Sequence, residues 1–130
     1  MESYPPPIPE NRPLTTEEQR LARWMLEHGG PEAQAYLPQL DRAWVVSRCA
    51  CGCATLDLQV EGFPPPSGGM RLLGDYTFEA NGEVSGIFIY HRGGTLAGIE
   101  VYGLSGDTPE TLPAPESLIP MAAAEDSARE

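Results

Sequence analysis

Three cysteines, Cys49, Cys51 and Cys53, fall within one five-residue stretch. Thiols this close are the raw material of a thiolate metal site, with zinc as the ion, or of thiol redox chemistry. Chain geometry limits both. Alternate residues of an extended strand share a face, but the outer two Cα atoms would then lie ~13 Å apart. Two sulfurs on one zinc, each at ~2.3 Å, are at most ~4.6 Å apart. All three can meet one ion only if Gly52 lets the chain turn back on itself. His91 or His28 is then the candidate fourth ligand. The spacing is not the repeated C-x2-C pair of a well-marked zinc site, and a disulfide between i and i+2 of an extended strand is disfavoured, its Cβ atoms being ~7 Å apart instead of ~4 Å. The simplest reading leaves the three as free thiols packed as small apolar groups.

A reactive thiolate is the third use of such residues, with Arg48 or His91 lowering a thiol pKa. The other parts of an enzyme are missing. No Cys-His-Asn/Asp order, nucleophile elbow or phosphate loop can be placed, so no catalytic residue is assigned and the sequence leans away from an enzyme. Glu100 is the other notable group, because it interrupts the apolar run Leu96 to Tyr102. A buried carboxylate there needs a partner, and Arg48 or Arg92 would make a structural ion pair. The alternative is a polar cluster built from Arg48, Tyr90, Glu100 and Tyr102, with His91 beside it. His28, at the end of an apolar helix face, reads as a cap on the helix C-terminus.

The elements that must position these groups are legible in part. Thr15 and Glu18 form a capping box opening a helix to about His28, with Leu21, Trp24, Met25 and His28 on one face. Gly29 and Gly30 end it, Pro31 starts a second helix with Ala33, Tyr36, Leu37 and Leu40 inward, and Pro38 should shorten or kink that one. From Ala43 the period becomes two, and Thr55 to Glu61 alternates as a half-buried strand. A strand from Trp44 to Val60 would be too long, so a hairpin is expected at Gly52. A two-residue turn at Cys51-Gly52 would bury Val45, Ser47 and Cys49 with Leu56 and Leu58. A three-residue turn buries Trp44, Val46 and Ala50, and its larger apolar area favours it. Residues 62–69 read as a loop, while Asn81-Gly82 and Gly93-Gly94 read as tight hairpin turns. The expected fold is α+β: two N-terminal helices packed on a four- or five-stranded antiparallel sheet built from hairpins. Gly86 to Tyr90 is apolar on both sides, so its strand should be central and the face away from the helices covered or a contact surface.

At 130 residues the chain suits one domain, read here as 14–104, between a proline-rich extended arm at 1–13 and an acidic, proline-containing, disordered tail at 105–130. The tail would dock loosely through Leu112, Leu118 and Ile119. The formal charge is −11, and every basic residue is an arginine, which excludes Schiff-base chemistry on lysine. Such acidity repels phosphate backbones and anionic headgroups, so no nucleic acid and no membrane are expected, and a basic protein or small cation fits better. No signal-peptide pattern or bilayer-length apolar run is present, and with the cysteine spacing this reads as a cytoplasmic protein.

The runs Val46-Ser47-Arg48-Cys49-Ala50-Cys51-Gly52-Cys53 and Gly94-Thr95-Leu96-Ala97-Gly98-Ile99-Glu100-Val101-Tyr102 resemble small bacterial proteins of unassigned function that carry R-C-x-C-G-C and G-x-L-x-G-x-E-x-Y segments. The resemblance spans about residues 12 to 118 and implies no activity, substrate or catalytic residue. Function therefore rests on the residues themselves. The first expectation is a non-enzymatic protein-interaction or regulatory module, engaging a protein partner or a second copy through the face around Phe88, Tyr90 and Tyr102, with no cofactor. The alternative is a zinc-binding or thiol redox protein using Cys49, Cys51 and Cys53, with His91 as a further ligand.

Overall fold

The computed structural model describes residues 6–104 and 108–121. Its centre is one antiparallel sheet of seven strands. In chain order these are β1 (Ile8–Pro13), β2 (Ala43–Arg48), β3 (Leu56–Val60), β4 (Met70–Ala80), β5 (Glu83–Arg92), β6 (Thr95–Gly103) and β7 (Ile119–Pro120). Across the sheet they lie β1-β2-β3-β6-β5-β4-β7. One helix of three turns, α1 (Thr16–Glu27), crosses a single face, followed by a 3₁₀ turn at Ala33–Tyr36 and a four-residue helix, α2 (Leu37–Leu40).

This corrects the expected four- or five-stranded sheet under two N-terminal helices: seven strands dominate, and both α-helices are short. The extra strands come from the chain ends. The proline-bearing segment Ile8–Pro13 pairs with β2, and Ile119–Pro120 pairs with β4. Both are edge strands, where a proline's missing N–H points away from the ladder and costs no hydrogen bond. The second helix breaks into a 3₁₀ turn and a single α-turn, because Pro38 removes a donor and crowds the preceding turn. Of the tail, residues 108–121 pass the start of α1 and end in β7, with Leu118 buried and Leu112 half-buried, whereas Ile119 is exposed. Residues 1–5, 105–107 and 122–130 lie outside the described residues, and with them the remaining expectations for arm and tail.

Local signals hold where they are local. The capping box closes in both directions: the Glu18 amide donates to Thr15 Oγ1 at 3.1 Å and the Thr15 amide to Glu18 Oε1 at 2.9 Å. Asn81 and Gly82 adopt φ of 55° and 79°, and Gly93 and Gly94 of 60° and 89°, the left-handed pair that a two-residue turn between right-twisted strands requires.

Side-chain alternation divides the sheet into two unlike faces. On the helix side, Leu73, Tyr76, Phe78, Ile87, Ile89, Leu96, Ile99 and Val101 pack against Leu21, Met25 and Leu26 of α1. Val45, Leu56 and Leu58 extend this core under Leu14 and Leu112. The face preferred for β2 is thereby corrected: Val45 is fully buried and Trp44 is 42% exposed. A bulge between Val45 and Ser47 absorbs one residue, so Val45 opposes Leu58 and the β2–β3 connection is a loop longer than either turn considered. Among the described residues no second layer covers the other face. Its central part closes over itself, the rings of Tyr102 and Tyr90 lying across Gly86 and Gly98.

Candidate functional site

The loop between β2 and β3 is built to gather sulfur. The Cys49 amide reaches Thr55 O at 3.4 Å, closing the loop's neck, and the Gly52 amide turns back to Cys49 O at 3.3 Å. Gly52 has φ of 90°, a conformation that side chains disfavour, so the fold-back needs glycine at this point. Two anchors hold the loop to the body. The Ala54 amide donates to Pro109 O, and Thr55 Oγ1 occupies the backbone of Val101, accepting from its amide at 3.0 Å and donating to its carbonyl at 3.3 Å.

Inside the loop the sulfurs of Cys49, Cys51 and Cys53 all lie within 4.8 Å of one another. The extended-strand separation of ~13 Å has been folded away. Three ligands around a tetrahedral zinc at ~2.3 Å stand ~3.8 Å apart, so this set matches a thiolate site in size. The Cys49 and Cys51 sulfurs stand 2.8 Å apart and would separate slightly around an ion. The Cys51 amide points at Cys49 Sγ (3.4 Å) and the Cys53 amide at Cys51 Sγ (3.3 Å). Cys51 is exposed and the other two are partly so, leaving the cluster open to solvent. The three close cysteines are able to hold a metal ion.

The expected fourth ligand is elsewhere. His91 is buried near the β5–β6 turn, stacked on Tyr36 at 4.9 Å, with Nδ1 accepting from the Gly94 amide at 3.2 Å. Because β3 pairs with β6 through Leu56 and Ile99, that turn and the cysteine loop stand at opposite ends of the sheet. His28 is also distant. α1 begins at the cleft that Cys53 lines and ends ~18 Å away, where His28 Nδ1 lies 2.8 Å from Trp24 O in the capping role. Among the described residues no further His, Cys, Asp or Glu joins the three sulfurs.

Beside Cys53 a cleft of about 610 Å³ opens between β1, the start of α1 and residues 110–115. Its walls carry Glu10, Arg12, Glu18, Arg48 and Glu110. Arg12 donates to both oxygens of Glu18, at 2.8 and 3.0 Å, and Arg48 Nε stands 3.5 Å from Glu10 Oε2. Burial raises the Glu18 pKa, but the Arg12 hydrogen bonds and the Thr15 cap outweigh it and leave the carboxyl below its ordinary value. Nothing in the local sequence signals this cleft, since it is made by segments almost one hundred residues apart.

Of the polar cluster, Tyr90, Glu100 and Tyr102 come together and Arg48 does not, being held by Glu10 on the helix side. Phe88 opposes Glu100 across β5 and β6, with its ring 5.7 Å from Tyr90 and 5.8 Å from Tyr102. Tyr102 donates to Asp75 Oδ1 at 3.3 Å. Burial, and then the neighbouring carboxylates, push both Tyr90 and Tyr102 hydroxyls up from the ordinary phenol value. Arg92 lies over the Tyr90 ring, 5.5 Å from its centre, and donates to Gly68 O. Neither arginine expected to neutralise Glu100 forms an ion pair with it. Asp75 and the strand glycines were not among the residues singled out. The interior glycines Gly86 and Gly98 were the available signal, since a strand glycine often marks a close approach by another group.

No helix among the described residues is long and apolar enough to cross a membrane. No protein-family model, no curated protein and no solved structure matches this chain.

Proposed function

We propose that the chain is a metal-binding protein that holds one zinc ion on the thiolates of Cys49, Cys51 and Cys53. The single observation behind this reading is the approach of three sulfurs to within 4.8 Å of one another in a loop anchored at both ends. Preorganisation matters because the loop then need not be ordered at the moment of binding. Three thiolates on a divalent ion leave a charge of −1 and one coordination position, and exposed Cys51 leaves that position open to water or an incoming donor. Elemental analysis of protein purified without chelator is expected to give close to one zinc per chain, lost on Cys51→Ser. Metal-free protein whose three thiols titrate at ordinary reactivity would overturn the assignment.

A second reading is a protein-interaction or regulatory module, and it is supported by a different observation. The sheet face opposite α1 carries the rings of Phe88, Tyr90 and Tyr102 with no covering layer among the described residues, and aromatic groups of this kind are enriched where proteins meet. The occupant would be a protein partner or a second copy of the chain. Light scattering on the isolated protein separates self-association from a free face awaiting a partner.

A further inference from the structure

Glu100 has no ion-pair partner among the described residues. It is partly buried on the central strand, directly across from Phe88, with Tyr102 two residues along the same face. No arginine or histidine is within ion-pairing distance of it among the described residues. A carboxylate set beside aromatic rings is complemented by a positive charge, which a partner can supply.

The same face already shows how it receives one. Arg92 lays its guanidinium over the Tyr90 ring, a cation–π arrangement next to Phe88. One step across the sheet, Phe88 and Tyr102 offer two more rings around a carboxylate, with Asp75 behind the Tyr102 hydroxyl. Tyr102 lies with one side against Gly86, so its other side faces outward and the ring is only half covered. Aromatic faces beside a carboxylate suit a planar guanidinium, which stacks and donates paired hydrogen bonds at once. The chain's charge of −11 adds long-range attraction for a basic segment.

We infer that the Phe88–Glu100–Tyr102 surface binds an arginine side chain presented by a basic segment of a partner protein. This rests on the reading of that face as an interaction surface, and names the chemistry of its occupant. Arginine is favoured over lysine because stacking and bidentate donation both need the planar group.

The probe is a synthetic peptide of alternating arginine and glycine, titrated into the full chain by calorimetry at low and physiological salt, with the lysine version alongside. Glu100→Gln keeps the shape of the site and removes its charge, and Glu27→Gln removes one charge from the exposed end of α1. The arginine peptide is expected to bind more tightly than the lysine peptide, and Glu100→Gln to weaken it about tenfold while Glu27→Gln changes it less than about twofold. Amide shifts in the unmutated protein should concentrate on residues 86–88 and 100–102, which keeps the test valid if a variant folds poorly. Equal losses from both variants, diffuse shifts, or no binding would overturn the arginine site. A homodimer that Phe88→Ala dissociates would also overturn it, yet leave the interaction surface standing.

Discussion

The two faces of the sheet solve the same burial problem in opposite ways. On one, Leu21, Met25 and Leu26 of α1 bring in a second layer, and strand residues such as Ile87, Ile89 and Ile99 are wholly covered by it. On the other, the sheet spends glycines: Gly86 and Gly98 make room for Tyr102 and Tyr90 to lie flat, so one layer covers much of its own apolar surface. The first arrangement is a core and little else. The second keeps polar atoms among its rings, with the Tyr102 hydroxyl donating to Asp75 and the Glu100 carboxylate opposite Phe88. The cysteine loop lies beyond the ends of β2 and β3 and joins the helix-side core only through buried Ala54, with Cys51 exposed.

That contrast breaks most visibly under truncation. Met25→Ala, fully buried beneath the sheet, is expected to cost about 2 to 5 kcal/mol in chemical denaturation, while half-buried Phe88→Ala costs about 1 to 2 kcal/mol. Equal losses would mean that the second face is a core in its own right. Next in size is Gly98→Ala, whose new Cβ would stand 2.6 Å from the Tyr90 hydroxyl and 2.7 Å from Leu56 O. The ring can swing but the carbonyl cannot, so a loss of about 1 to 3 kcal/mol is expected, with Tyr90 becoming more accessible to solvent.

Tyr76 sharpens the helix side. Its hydroxyl donates to Met25 O at 2.6 Å, and burial, with the Asp75 charge adding to it, pushes the phenol up to about 12. A raised folded-state value means that the stabilisation is complete below the unfolded phenol value near 10 and is lost as pH rises through 12. Tyr76→Phe should cost about 1 to 2 kcal/mol at neutral pH and flatten the stability curve over that alkaline window. Thermal melts of both proteins between pH 8 and 12 would check it, and parallel curves would contradict it. Smallest in stability is Cys51→Ser, expected to change chelator-treated protein by less than about 0.5 kcal/mol while abolishing zinc retention. A large loss in the metal-free state would mean that the Cys51 side chain supports the fold without an ion.

The caps, turns and one loop of this architecture were legible because their signals act over a few residues, whereas the seven-stranded sheet was not. The Thr15–Glu18 box, the loop at 62–69, and the turns at Asn81-Gly82 and Gly93-Gly94 each follow from backbone preferences that distant contacts do not alter. The edge strands were not legible, since nothing near Ile8 or Ile119 states that a partner strand is waiting. The register of β2 was misjudged for a related reason. Apolar area alone favoured Trp44, but one bulged residue turned Val45 inward, and a single-residue shift exchanges the two faces.

The candidate site divides along the same line. The sequence by itself determined that three thiols share one short glycine-containing turn, and that Tyr90, Glu100 and Tyr102 stand on neighbouring antiparallel strands. Only the tertiary structure decided that the sulfurs converge, that His91 sits at the far end of the sheet, and that Arg48 and Arg92 leave Glu100 unpaired. The physical reason is range. Turn chemistry is settled between residues a few positions apart, whereas strand order, bulges and the company a charge keeps depend on segments that meet only when the whole sheet has formed.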